Sequence, residues 1–161
     1  MNYTDIKTYE DALNVLKEHG VIGSNYIEPM VKCSKNDNEF RNMGIISKSL
    51  EATFKLSMVC KAINLLTEYE YPYMNIPEIQ ILEEEKWTGT GFHVDIEGIG
   101  KREIVAAPHA CNVVTDIKYC YIGMQGAAFV NTKEAAIHVA TYFGNLIFDS
   151  QYADVYNYKY I

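Results

Sequence analysis

Hydrophobic residues recur at helical spacing in three stretches of the chain. The first runs over residues 8–20: it begins with Thr8, carries an acid three positions later at Asp11 and ends at Gly20, which are marks of a capped helix. The second, from about Ser47 to Leu66, repeats apolar residues every three or four positions and predicts the best-defined core helix. Its predicted apolar face contains Leu50, Phe54, Met58 or Val59, Ala62, Ile63 and Leu66.

The third stretch predicts a closing helix. Asn131 and Thr132 are both good N-caps, and Glu134 lies in the first turn, where an acid favours the helix dipole. The apolar stripe of this helix contains Ala135, Ala136, Val139, Ala140, Phe143, Leu146 and Ile147. Its width predicts a largely buried helix, and its small residues allow close packing on a sheet or on another helix.

Between the second and third helices the pattern changes to that of strands. Phe92–Glu97 alternates in character and places Phe92, Val94 and Ile96 on one face, as a half-buried strand requires. Further strands are predicted at 69–77, 102–106 and 118–122. The proline-punctuated stretch 69–77 fits an edge strand, and a hairpin is predicted around the turn at 88–91.

This order of elements predicts an α+β fold, with an antiparallel sheet of four or five strands and about three helices packed on one face. A chain of 161 residues is close to the usual length of one domain, so we expect a single compact domain over residues 1–161. Two segments stand apart from the pattern: a polar loop at about 31–44 and a tyrosine-rich tail at 152–161.

The tail carries Tyr152, Tyr156, Tyr158 and Tyr160, and the final spacing of two is that of a strand. An exposed strand commonly pairs with another chain, and tyrosine offers an apolar ring with a polar tip, which suits interfaces. We therefore predict that these four tyrosines bind a protein partner. Deleting the tail tests this prediction. The alternative is that the tail folds back on its own domain.

Composition excludes some classes of partner. The formal charge of −7 and the pI near 5.1 oppose binding to nucleic acid or to an anionic lipid surface. No apolar run approaches the roughly 20 residues that cross a bilayer, and the first residues lack the pattern of a signal peptide, so we expect synthesis in a cytosol. The cysteines contain no CxxC pair, and we expect free thiols at Cys33, Cys60, Cys111 and Cys120.

One group of residues contains the parts of a cysteine nucleophile site. His109 and Cys111 lie two positions apart in the sequence, and His93 and Asp95 lie upstream. No nucleophile turn surrounds Cys111, and the spacing of these residues and Cys120 shows no paired metal-ligand element. We therefore predict no catalytic residue, no metal and no cofactor, and keep a small cysteine/histidine hydrolase using Cys111 as the alternative.

A set of short stretches, in this order and rough spacing, carries a family resemblance. They are residues 6–12, 54–56, 61–64, 71–73, 89–92 and 128–136, with Gly144 and Phe148. In these stretches the chain resembles small, mostly uncharacterised proteins of crAss-like phages and related prophages of gut bacteria. The resemblance implies a phage-borne domain without an enzymatic role, a virion component such as a fibre, collar or capsid attachment. Such a protein is made in the host cytoplasm, is incorporated in the virion and contacts itself and other virion proteins. An intracellular regulator of a host protein is a further alternative.

Overall fold

The computed structural model describes residues 1–26, 40–70, 73–107, 109–112 and 129–161, and in 40–47, 73–74 and 109–112 it describes the backbone alone. The helices are α1 (Tyr9–Glu18), α2 (Phe40–Leu65), α3 (Lys133–Tyr142) and α4 (Gly144–Tyr152). The strands are β1 (Tyr73–Ile76), β2 (Ile79–Leu82), β3 (Phe92–Ile96), β4 (Gly100–Ala106), β5 (His109–Asn112) and β6 (Tyr158–Tyr160). One antiparallel sheet has the order β2-β4-β3-β6, and β1 pairs with β5 in a second sheet of two strands. The predicted α+β class is confirmed.

Helix α1 begins where the capping pattern predicts. The backbone N–H of Asp11 donates to Thr8 Oγ1 at 3.2 Å, and the Thr8 N–H donates to Asp11 Oδ2 at 2.8 Å. This reciprocal pair satisfies two amides that the first turn would otherwise leave unbonded. The buried side chains of α1 are those of Ala12, Leu13, Val15 and Leu16.

Helix α2 begins earlier than predicted. Val59, Ala62 and Ile63 of its predicted apolar face are buried, but the buried face is rotated in the first half of the helix. It starts at Phe40, so the predicted loop at 31–44 is wrong over 40–44, while 31–39 lie outside the described residues. Leu50 is 52% exposed, and Phe54 is half-buried. The buried side chains of the described part of α2 are Ala52, Leu56, Val59, Cys60, Ala62 and Ile63. This face packs against α1 and α4. Contact with these two helices therefore determines which side of α2 is buried.

The predicted closing helix is two helices. Thr132 caps α3 as expected, because its Oγ1 accepts from the Ala135 N–H at 3.0 Å. Phe143 then leaves helical geometry, with φ −124° and ψ 20°, and α4 starts at Gly144. A Cβ built on Gly144 would lie 2.9 Å from Cε1 of Phe92, so the missing side chain lets α4 approach the sheet closely.

The central hairpin joins β3 to β4, not β2 to β3. Gly98 occupies this turn with φ +77°, a conformation that glycine adopts without steric cost. The predicted hairpin at 88–91 is wrong, because both edges of β4 are used: it pairs with β2 on one side and β3 on the other. The predicted strand at 102–106 is confirmed within β4, and the one at 118–122 lies outside the described residues.

One face of the larger sheet carries a small core. Val94, Ile96 and Ile104 are buried against Phe148 of α4, which is completely inaccessible to solvent. The predicted alternation along β3 is confirmed, and α4 packs on this face of the sheet. Separately, none of the helices in the described part of the chain is long and apolar enough to cross a membrane.

Candidate partner-binding site

The tyrosines of the tail pack on their own domain. Strand β6 pairs with β3, which opposes Tyr158 to Ile96 and Tyr160 to Val94. The Tyr158 ring meets the Phe148 ring edge-on, with their centroids 4.8 Å apart. The tail therefore folds back on its own domain, as the alternative predicted. We call the surface that residues 152–161 form in this position the tail surface.

The remaining tyrosines extend this aromatic cluster in both directions. Tyr152 lies 5.0 Å from Phe148 between ring centroids, and Tyr156 lies 5.9 Å from Tyr152. On the other side, Tyr160 lies 5.7 Å from Phe92. Tyr152, Tyr156 and Tyr158 are half-buried against the core of the sheet, whereas Tyr160 is 42% exposed.

A single carboxylate anchors the end of the tail. The hydroxyls of Tyr158 and Tyr160 both donate to Asp149 Oδ1, Tyr160 at 2.6 Å, and the Tyr160 hydroxyl also lies 3.2 Å from the Asn145 carbonyl oxygen. Burial, and then the hydrogen bond to the Asp149 carboxylate, raises the pKa of both tyrosines above its ordinary value. Both hydroxyls are therefore protonated donors throughout the physiological range.

Charged groups flank β6 on both faces of the sheet. On the helix side, Lys48 Nζ lies 4.7 Å from the centroid of the Tyr158 ring, and a depression of about 420 Å³ opens between Lys48 and residues 153–158. On the opposite side, Lys159 Nζ lies 3.7 Å from Asp95 Oδ2. A second depression of about 390 Å³ there is lined by Asp95, Glu97, Asn157, Tyr158 and Lys159.

Three apolar or aromatic side chains of the tail remain exposed although its backbone is fixed to the domain. Val155 is 65% exposed, Ile161 is 56% exposed and Tyr160 is 42% exposed. The tail surface thus combines a fixed backbone, aromatic rings and uncovered apolar area, the combination found at protein interfaces. Contact of the four predicted tyrosines with a partner stays a prediction.

The residues of the nucleophile site that was kept as the alternative are divided between the two sheets. His93 and Asp95 lie in β3, whereas His109 and Cys111 lie in β5, with side chains outside the described part. Asp95 pairs with Lys159 of β6, and the His93 ring lies 4.4 Å from the ring of Trp87, which precedes β3. Among the side chains that the structure describes, no three potential metal ligands come together.

Two carboxylates with clear structural roles were missed by reasoning from the sequence. Asp149 lies eleven residues from Tyr160, and they meet only because the chain turns back between α4 and β6. Glu103 is completely buried and accepts hydrogen bonds from the backbone N–H of Thr88 and from that of Gly91, the latter at 3.0 Å. The glycine-containing turn at 88–91 was the available signal, since such turns present backbone amides to an anion.

The buried thiol at Cys60 is a packing residue, and the free thiol predicted at this position is confirmed. It is 2% exposed and free, and burial raises its pKa to about 12. A thiol that stays protonated at neutral pH is a poor nucleophile.

Comparison with protein-family models, with curated proteins and with solved structures found no match to this chain.

Proposed function

We propose that this chain is a non-enzymatic structural or adaptor protein that works through protein–protein contacts at the tail surface. The observation that carries the proposal is the exposure of Val155, Tyr160 and Ile161 around a segment that is itself fixed to the domain. Apolar side chains on a fixed segment bind a partner at a lower entropic cost than those of a free tail, because the backbone is already ordered.

We further propose that the protein acts in a phage particle, as a component of a fibre, a collar or a capsid attachment. This step rests on the resemblance of the short stretches, several of which supply core residues: Ile63, Ala135 and Ala136 are all buried. Stretches that build the core support a common fold, and the tail surface would then supply the contact specific to this chain.

The experiment is mass spectrometry of purified phage particles from a producing culture, combined with the oligomeric state of the isolated protein. The proposal expects the chain in the particles at a fixed copy number. Its absence from particles that contain the other structural proteins would overturn the virion assignment.

A second arm separates the structural function from the hydrolase that the sequence left open. A Cys111→Ala variant should enter particles at the parent level, and mild alkylation should not label Cys111 selectively. Stoichiometric labelling of Cys111 accompanied by loss of an activity would favour the enzyme.

A further inference from the structure

Strand β6 forms one edge of the larger sheet. In the described part of the chain it pairs with β3 alone, in the order β2-β4-β3-β6. The Ile161 N–H donates to the His93 carbonyl at 3.1 Å, and the Glu97 N–H donates to the Asn157 carbonyl at 2.9 Å. Since antiparallel strands alternate the direction of their backbone groups, residues 157, 159 and 161 face β3.

The same alternation turns the backbone groups of Tyr158 and Tyr160 away from β3. Each residue therefore presents an N–H and a C=O at the outer edge of the sheet, spaced as a further strand requires. The side chains of Tyr158 and Tyr160 are held by Asp149, so the edge keeps a defined geometry. The exposed side chain of Ile161 adds apolar surface next to this edge.

Lys159 decides which kind of chain fits this edge. Its side chain is exposed between the two tyrosines, on the opposite face of the sheet, close to Asp95. If two copies paired symmetrically through the outward groups of Tyr158 and Tyr160, each Lys159 would lie directly opposite the other. Like charges in that position are destabilising, and a lysine on an edge strand is a known guard against self-pairing.

We propose that β6 accepts an extended segment of a different protein as an additional antiparallel strand, with apolar residues beside Tyr158 and Tyr160 and a carboxylate beside Lys159. Backbone hydrogen bonds to the outward groups hold the segment, and the alternating side chains select it. The inference rests on the proposed function, because it specifies the contact that the tail surface makes.

The test uses a capped seven-residue peptide that alternates valine and threonine and carries one glutamate at its centre. Backbone amide exchange of the full-length protein is followed residue by residue by NMR, with and without the peptide. We expect the amides of Tyr158 and Tyr160 to exchange more slowly when the peptide is present. The amide of Ile161, which already donates to His93, is the internal control.

A charge exchange tests the role of Lys159. The parent protein should bind the glutamate peptide about 1.5- to 5-fold more tightly than the same peptide with lysine at its centre, and Lys159→Glu should reverse this order. A Lys159→Gln variant should lose the preference for the glutamate peptide and favour the lysine peptide, because Asp95 and Glu97 line the same face. Unchanged protection of the Ile161 amide in this variant separates the charge effect from any loosening of β6.

Three results would overturn the inference. Protection of the β2 amides in place of those in β6 would place the segment at the opposite edge. A free protein that is already dimeric, with the amides of Tyr158 and Tyr160 protected, would make the occupant a second copy. No protection at β6 in a protein that nevertheless occurs in phage particles would leave the proposed function intact and refute this mode of contact.

Discussion

At the scale of single residues, Asp149 links the tail to the helices through two phenolic hydroxyls. The raised pKa of Tyr158 and Tyr160 gives this link a definite pH dependence. Both tyrosines are protonated in the folded and unfolded chains at neutral pH, so the stabilisation is complete there. Above about pH 10 the unfolded tyrosines ionise while the folded ones keep their protons, and the free energy of unfolding falls.

The measurement is the melting temperature between pH 8 and pH 11. We expect the parent protein to lose stability more steeply above pH 10 than a double variant carrying Tyr158→Phe and Tyr160→Phe, which cannot ionise at these positions. Asp149→Asn should have an intermediate slope, because burial still raises both pKa values. Equal slopes for all three proteins would show that these hydroxyls do not titrate differently on folding.

Glu103 and Gly91 fix the turn at 88–91 from two directions. The pKa of the Glu103 carboxyl is lowered despite burial, because the amides of Gly91, Thr88 and Gly89 donate to it. A Cβ built on Gly91 would lie 2.0 Å from the Ile104 carbonyl oxygen, so even alanine displaces the backbone of the turn.

Gly91→Ala should therefore destabilise the protein and shift the emission of Trp87, the single tryptophan, whose ring lies 4.4 Å from the His93 ring. Gly23→Ala is the matched control, since no atom lies within 4 Å of a Cβ built there. Melting curves and fluorescence spectra of the two variants provide the comparison. Identical behaviour would mean that the turn tolerates a side chain at position 91.

At the scale of elements, the sequence predicted what local interactions determine. The caps at Thr8 and Thr132 and the alternation from Phe92 to Ile96 depend on neighbours along the chain, and all three are confirmed. The early start and rotated face of α2, the break at Phe143 and the position of β4 between β2 and β3 depend on packing partners distant in sequence. Periodicity alone carries no information about those partners.

The rotated face of α2 changes what Phe54 contributes to stability. Phe143, between α3 and α4, is 3% exposed, so Phe143→Ala should cost about 3–5 kcal/mol of unfolding free energy. Phe54 in α2 is only half-buried, and Phe54→Ala should cost clearly less. Chemical denaturation of both variants measures the difference. A larger loss for Phe54→Ala would contradict the helix faces described above.

The tail is the element whose role the structure most changes. If it were only an interface, deleting residues 152–161 would leave the melting temperature nearly unchanged. Because β6 pairs with β3 and Tyr158 covers Phe148, we expect deletion to destabilise the domain. Re-exposure of Phe148 alone is worth about 1.5–3 kcal/mol, which corresponds to a drop of roughly 3 to 12 °C. A deletion protein that melts with the parent would show that the tail is dispensable for the fold.

At the scale of the whole molecule, the tyrosine content of the tail predicted which residues form the candidate site, and the sheet topology shows where they lie. The concentration of tyrosines drew attention to residues 152–161, but spacing could not distinguish a free strand from one paired at the sheet edge. Pairing with β3 depends on α4 turning the chain back beside the sheet, which the break at Phe143 allows. The same geometry leaves Val155 and Ile161 exposed, so they can be changed without removing the packing of Tyr158.

The most direct measurement is therefore the copy number of a Val155→Glu and Ile161→Glu double variant in purified phage particles, determined by quantitative mass spectrometry. The control is Ile137→Glu, an exposed isoleucine of α3 that is 41% accessible. We predict that all these proteins melt near the parent temperature, that the control enters particles at the parent copy number, and that the double variant is depleted at least tenfold, corresponding to about 1.4 kcal/mol of lost binding. Incorporation of the double variant at the parent level would contradict the assignment of the tail surface as the site of contact.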